Sequence, residues 1–137
     1  MPEHQFAFTT RTVRPTDLPY ILSTWAKAAR DAALVKGMDV APASSFLRSI
    51  FVRQLEAPDV SARVATPLDD DDTLLGWSVY SSEALHFVYV RRNFRGIGIA
   101  RSLVPTGIDK FTFHTRCIRR FPDGWNYRPD LLFVQDK

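Results

Sequence analysis

Phe87-Val88-Tyr89-Val90-Arg91-Arg92-Asn93-Phe94-Arg95-Gly96-Ile97-Gly98-Ile99-Ala100 reads as a buried strand, a short basic turn and a glycine loop that opens a helix. A helix N-terminus presents unpaired backbone N–H groups and a partial positive charge, so a strand delivered into one makes an anion cradle. Glycine has no Cβ, which lets the backbone approach a phosphate closely. Arg91, Arg92, Arg95 and Arg101 add charge suited to phosphate oxygens. The alternative is that Gly96 and Gly98 serve only a tight strand-to-helix turn.

Two other glycine-loop chemistries fail on spacing. No Gly-x4-Gly-Lys-Ser/Thr run exists, and the dinucleotide fingerprint requires a third glycine that Gly96 and Gly98 lack. Arg95-x-x-Gly98-x-Ala100 after an apolar strand resembles the acyl-CoA-binding motif of the GCN5-related N-acetyltransferase (GNAT) superfamily. The resemblance covers residues 74–104 well and the rest thinly. It implies an α/β (α+β) fold with a central, mostly antiparallel twisted sheet flanked by helices. It implies acetyl-CoA as cosubstrate, with Val88, Tyr89 and Val90 pairing with the pantetheine arm through their backbone. Arg95, Gly96, Ile97, Gly98, Ile99 and Ala100 would hold the pyrophosphate. The fourth and fifth strands would splay apart to leave room for the arm.

Working upstream, Thr73–Ser81 and Ala84–Val90 read as the third and fourth strands, joined by a tight turn at Ser82-Glu83. Ser61–Thr66 is a short second strand, followed by Pro67 and Asp69-Asp70-Asp71-Asp72. Adjacent carboxylates diverge, so the acidic run reads as a solvated hairpin tip and no metal site is expected. Residues 5–13 are aromatic and β-branched, a first strand with Phe6 and Phe8 on one face. Thr16 is an N-cap candidate for a helix carrying Leu18, Ile21, Leu22, Trp25, Ala28 and Ala29. Gly37 and Pro42 bracket a loop. A second helix from Ser44 to Glu56 has Phe46, Leu47, Ile50, Phe51 and Leu55 as its stripe. Two helices between the first and second strands agree with the GNAT order.

Downstream, Pro105 cuts the third helix short, where the family's helix usually runs longer. Lys110–Thr115 alternates like a fifth strand, although a continued helix fits as well. Residues 119–129 are turn-rich, and Leu131–Val134 reads as a last short strand.

Transfer of an acetyl group to an amine requires a base for the ammonium and an acid for the leaving thiolate. The resemblance places a carboxylate near the start of the fourth strand, where Glu83 stands. Its other reading is an exposed turn carboxylate. His86, on the same strand, is either a second base or a half-buried strand histidine. Tyr127 matches the family's thiolate-protonating tyrosine in region, or it is a packed aromatic beside Trp125. Cys117 has arginines nearby but no partner base, and reads as structural rather than nucleophilic.

At 137 residues, 45% hydrophobic and 24% charged, the chain reads as one domain spanning residues 1–137. Its net charge of +3 suits an anionic small molecule and is too small for nucleic acid to be the expected partner. A lone cysteine excludes an intramolecular disulfide. Neither a signal peptide nor a membrane span is legible, so no membrane partner and a cytoplasmic location are the expectations. The acceptor would be an amine of a small molecule or a protein. An incomplete sheet end invites pairing with a second copy, hence an expected homodimer. A non-catalytic protein of the same fold, binding CoA or a protein partner, stands beside the enzyme reading.

Overall fold

The computed structural model describes residues 7–29, 35–112 and 124–132. Phe6, Cys117 and the arginines at 116, 119 and 120 lie outside these residues. Strand β1 (Phe8–Thr12) pairs antiparallel with β2 (Ser61–Pro67), which pairs with β3 (Gly76–Tyr80), which pairs with β4 (Leu85–Val90). Two-residue strands β5 (Lys110–Phe111) and β6 (Asn126–Tyr127) follow, both added in parallel. The spatial order among the described residues is therefore the chain order, β1 to β6. The sheet is mostly antiparallel, as the pattern predicts.

Helices α1 (Leu18–Ala28) and α2 (Val40–Glu56) cover one face. Ile21, Trp25, Leu47, Ile50 and Phe51 meet Ala62, Val64, Trp77, Val79 and Phe87 there. The Trp25 and Phe51 rings stack with centroids 3.7 Å apart. Trp77 Nε1–H donates to Thr24 Oγ1 at 2.8 Å, which gives this buried indole its partner and ties β3 to α1. The opposite face carries α3 (Ile99–Leu103), whose Ile99 and Leu103 pack on Leu75, Leu85, Val88, Val90 and Phe111.

Several boundaries differ from expectation. Thr16 is not a cap; it sits inside a 3-10 turn, Pro15–Asp17, and Asp17 precedes α1. Asp17 accepts the Arg14 N–H at 2.7 Å and grips Arg11 at 2.8 and 3.2 Å. Helix α2 begins four residues early and takes Pro42 into its first turn, where a missing N–H costs nothing. Phe46 is exposed, and Ala43 and Gln54 are buried with the stripe. Helix α3 stops where Pro105 demands: Val104 is extended, as a residue before proline prefers to be. Leu131 and Leu132 lie in a 3-10 turn, Pro129–Leu132, rather than a strand, because Pro129 opens it with a helical φ. Of the alternating stretch Lys110–Thr115, only Lys110 and Phe111 are strand; residues 113–115 lie outside the described part.

Candidate active site

Strand β4 hands the chain to the candidate cradle. The Arg91 N–H donates to Leu75 O at 2.8 Å, extending the ladder by one bond, and a 3-10 turn at Arg92–Phe94 then swings the chain away. Gly96 and Gly98 take φ of +84° and +95°, left-handed values that side chains avoid. A Cβ built on either would meet no atom within 4 Å, so the loop faces open space. Gly98 is the N-cap of α3, and the Ser102 N–H closes the first turn on Gly98 O at 3.1 Å. The N–H groups of Ile99, Ala100 and Arg101 therefore precede the first intrahelical bond. Ile99 is buried and anchors α3, while Ile97 is exposed.

Arg95 does something the motif does not announce. Its Nε–H donates to Val90 O at 2.8 Å, and its guanidinium sits 5.9 Å from the Tyr89 ring centroid. The side chain buttresses the end of β4, so the loop backbone is what remains to form the candidate cradle. With α3 only five residues long, little macrodipole accumulates, so local N–H groups carry that surface.

The other end of β4 is irregular. Val79 lies opposite Phe87 but Tyr80 lies opposite Leu85, so His86 is an extra residue, a β-bulge. His86 is 1% exposed and Thr112 is 1% exposed. The Thr112 hydroxyl donates to His86 O at 3.2 Å and lies 3.2 Å from His86 Nδ1. A hydroxyl has one hydrogen, so Nδ1 must carry the proton in this arrangement and Nε2 is left as an acceptor. Burial pulls the imidazole down to about 4, partly offset by the Asp59 charge. Among the described residues β4 meets β5 only here, through Leu85 opposite Phe111, with the Thr112 N–H on Leu85 O at 3.0 Å.

Glu83 and Tyr127 gather at this same end. Glu83 is exposed in the β3–β4 turn, its N–H 3.3 Å from Ser81 Oγ, and its charge reaches Arg128. Tyr127 lies in β6 opposite Phe111, its ring 5.4 Å from the Phe111 ring and 44% exposed. Leu85, Phe111 and Tyr127 thus form one row across three strands. Tyr127 rides on a two-residue strand within the stretch that the sequence reads as turn-rich. Five steps separate Leu85 from Val90, about 17 Å at strand spacing. The predicted cradle and the predicted proton-handling pair therefore sit at opposite ends of one strand. The bulge and Thr112 went unread in the sequence; the only signal was a histidine inside the apolar run Leu85–Val90. Among the described residues no group of three His, Cys, Asp or Glu side chains is placed to hold a metal.

No family model and no curated protein matches the chain. Solved structures do. A Staphylococcus aureus protein assigned to the GNAT family of acetyltransferases is 16% identical with a TM-score of 0.53, over 69% of this chain and 82% of that one. A Corynebacterium glutamicum structure described as histone acetyltransferase HPA2 and related acetyltransferase is 18% identical with a TM-score of 0.53, over 71% and 67%. A GCN5-related N-acetyltransferase of Rhodopseudomonas palustris is 12% identical with a TM-score of 0.51, over 75% and 64%.

The chain has the GNAT fold.

Within the GNAT fold, α1 and α2 between β1 and β2, the antiparallel run β1–β4 and the β4–α3–β5 crossover all stand in the order the sequence predicts. The chain spans 66% of the length of two further matched structures, one described as an acetyltransferase of Clostridium difficile and one as a ribosomal-protein-alanine N-acetyltransferase of Brucella melitensis. Among the described residues no helix is long and apolar enough to cross a membrane.

Proposed function

We propose that this chain binds acetyl-CoA along β4 and at the β4–α3 junction, and transfers the acetyl group to an amine of a small molecule or a protein. The observation carrying the reading is the open loop at Gly96 and Gly98, held in left-handed conformation at the start of α3 within a GNAT fold. The open loop leaves room for a pyrophosphate on its backbone N–H groups, and Arg92 and Arg101 stand exposed in the same segment. An arm laid along Val88, Tyr89 and Val90 would reach from that loop towards the bulge at His86. In the transfer, the amine nitrogen bonds to the thioester carbonyl carbon and the C–S bond breaks. Glu83 would take the amine proton, directly or through water, and Tyr127 would give one to the thiolate.

Gly98→Val tests the binding step. Valine at φ +95° is strained by about 1–3 kcal/mol and puts a branched side chain into the loop's open space. Calorimetry should show acetyl-CoA binding to the wild type and none to a Gly98→Val protein with unchanged circular dichroism. Equal affinities would remove the cradle from the reading.

A second reading is a non-catalytic CoA-binding protein of the same fold. It is favoured by the position of Tyr127, on a two-residue strand with its ring against Phe111. Thiol release from acetyl-CoA over a panel of amines and peptides separates the two. An enzyme should lose about 10²-fold or more in rate with Glu83→Gln or Tyr127→Phe, the range of general acid–base contributions. Tight binding with no turnover on any amine selects the binder.

A further inference from the structure

On the α1 side of the sheet, a cleft of about 430 Å³ opens between the α1 entrance, the β2–β3 loop and Arg91. That volume is in the range of small-molecule sites. Tyr20 and Leu74 give it an apolar base, and Thr16 and Thr73 add hydroxyls. Three charged residues line it, Asp17, Asp72 and Arg91, but Asp17 is already neutralised by the two bonds from Arg11. Arg91 and Asp72 remain, with Asp72 feeling the Arg11 charge only at longer range than an ion pair. Neither Arg91 nor Asp72 has an ion-pair partner among the described residues.

The backbone on both sides of the cleft is tied down. The Arg91 N–H bonds Leu75 O, just ahead of β3, and the Arg91 guanidinium lies 5.9 Å from the Phe94 ring centroid. The acidic loop is tied down by Arg11 Nη2 on Asp71 O at 2.8 Å and by the Asp72 N–H on Asp70 Oδ1 at 3.0 Å. Pre-positioned walls lower the ordering cost of binding. The charge pattern selects the ligand by elimination. A simple anion on Arg91 would face Asp72 and the acidic run behind it, while a simple cation on Asp72 would face Arg91.

We propose that this cleft binds a small zwitterion of the amino-acid class with an apolar side chain, its carboxylate on Arg91, its ammonium on Asp72 and its side chain against Leu74 and Tyr20. Arg91 stands six strand steps from Leu85, about 20 Å from the Glu83 end of the sheet. The site is therefore separate from the proposed transfer chemistry and needs no CoA.

The test is a titration of the ¹⁵N-labelled protein, without CoA, using L-leucine, its deamino analogue 4-methylpentanoate and its decarboxy analogue 3-methylbutylamine. L-Leucine should produce saturable shifts at the Asp72, Thr73 and Arg91 amides, and each analogue should bind at least tenfold more weakly. Arg91→Gln and Asp72→Asn should each weaken L-leucine at least tenfold. Asp72→Asn should leave acetyl-CoA affinity unchanged, so this proposal and the acyl-CoA reading fail separately. Absence of saturable shifts with L-leucine overturns the proposal, as does an analogue that binds equally well or a variant that keeps full affinity.

Discussion

Protonating His86 would place a charge where the fold supplies little to solvate it. Thr112 accepts from Nδ1 and Asp59 offers only a distant attraction, so burial dominates and the folded imidazole titrates at about 4. A free histidine titrates near 6.5, so between those values the unfolded chain binds the proton more readily. The stability His86 contributes is fully present above about pH 6.5 and is lost as the pH falls to about 4. The whole interval is worth about 3 kcal/mol. Urea midpoints at pH 7.5, 5.5 and 4.5 should fall steeply for wild type and more shallowly for His86→Asn; parallel slopes would refute the assignment. Asp17 acts elsewhere on the scale. Burial pushes its carboxyl up, but the Arg11 and Arg14 bonds and charges bring it net below its ordinary value, so its contribution fades only under about pH 4. The sequence shows His86 inside an apolar strand and no more. A one-residue bulge leaves no compositional mark, because it is a relation between two strands.

At the scale of elements, the β3–β4 pair is the tightest place to probe. A Cβ on Gly76 would lie 2.5 Å from Tyr89 O, a backbone atom that cannot swing away. Gly76→Ala should therefore cost about 2–4 kcal/mol and lower the Tm by roughly 10 °C. Gly96→Ala, whose Cβ meets nothing, should cost about 1 kcal/mol from its φ alone. A reversal of that order in thermal melts would count against the β3–β4 packing described above. The elements legible in the sequence are those with enough residues to show a period: α1, α2, and β2 to β4. Strands of two residues cannot display alternation, so β6 leaves no mark in the sequence and β5 cannot be told from a continued helix there. Pro42 misled because proline marks a loop in general but is tolerated in a first helical turn. Tyr127 lies in a stretch that reads as turn-rich, and nothing in Trp125-Asn126-Tyr127 marks a strand locally.

For the whole molecule, the fold was readable because independent patterns agreed, with helical stripes before β2, alternation through β4 and glycines at the next turn. The candidate site was readable only in its glycine half. The cleft beside Arg91 is assembled from α1, an acidic loop and the end of β4, which no local pattern brings together. Chain-order strands from β1 to β4 also mean that each antiparallel partner is one connection away, apart from the α1–α2 excursion. β5 and β6 join differently, in parallel and over two residues each, with the Thr112, Asn126 and Arg128 N–H groups on Leu85, Asp109 and Phe111 at their ends. Pairing this short lets that margin open on its own, well below the free energy of global unfolding. Amide hydrogen exchange at Thr112, Asn126 and Arg128 should run at least 100-fold faster than at Val64, Trp77 and Val79; equal protection would show that the sheet opens as one unit. On that expectation β4 lies between a well-protected neighbour, β3, and an early-opening one, β5. Anything seated between them would be visible as deuterium retained at those three amides.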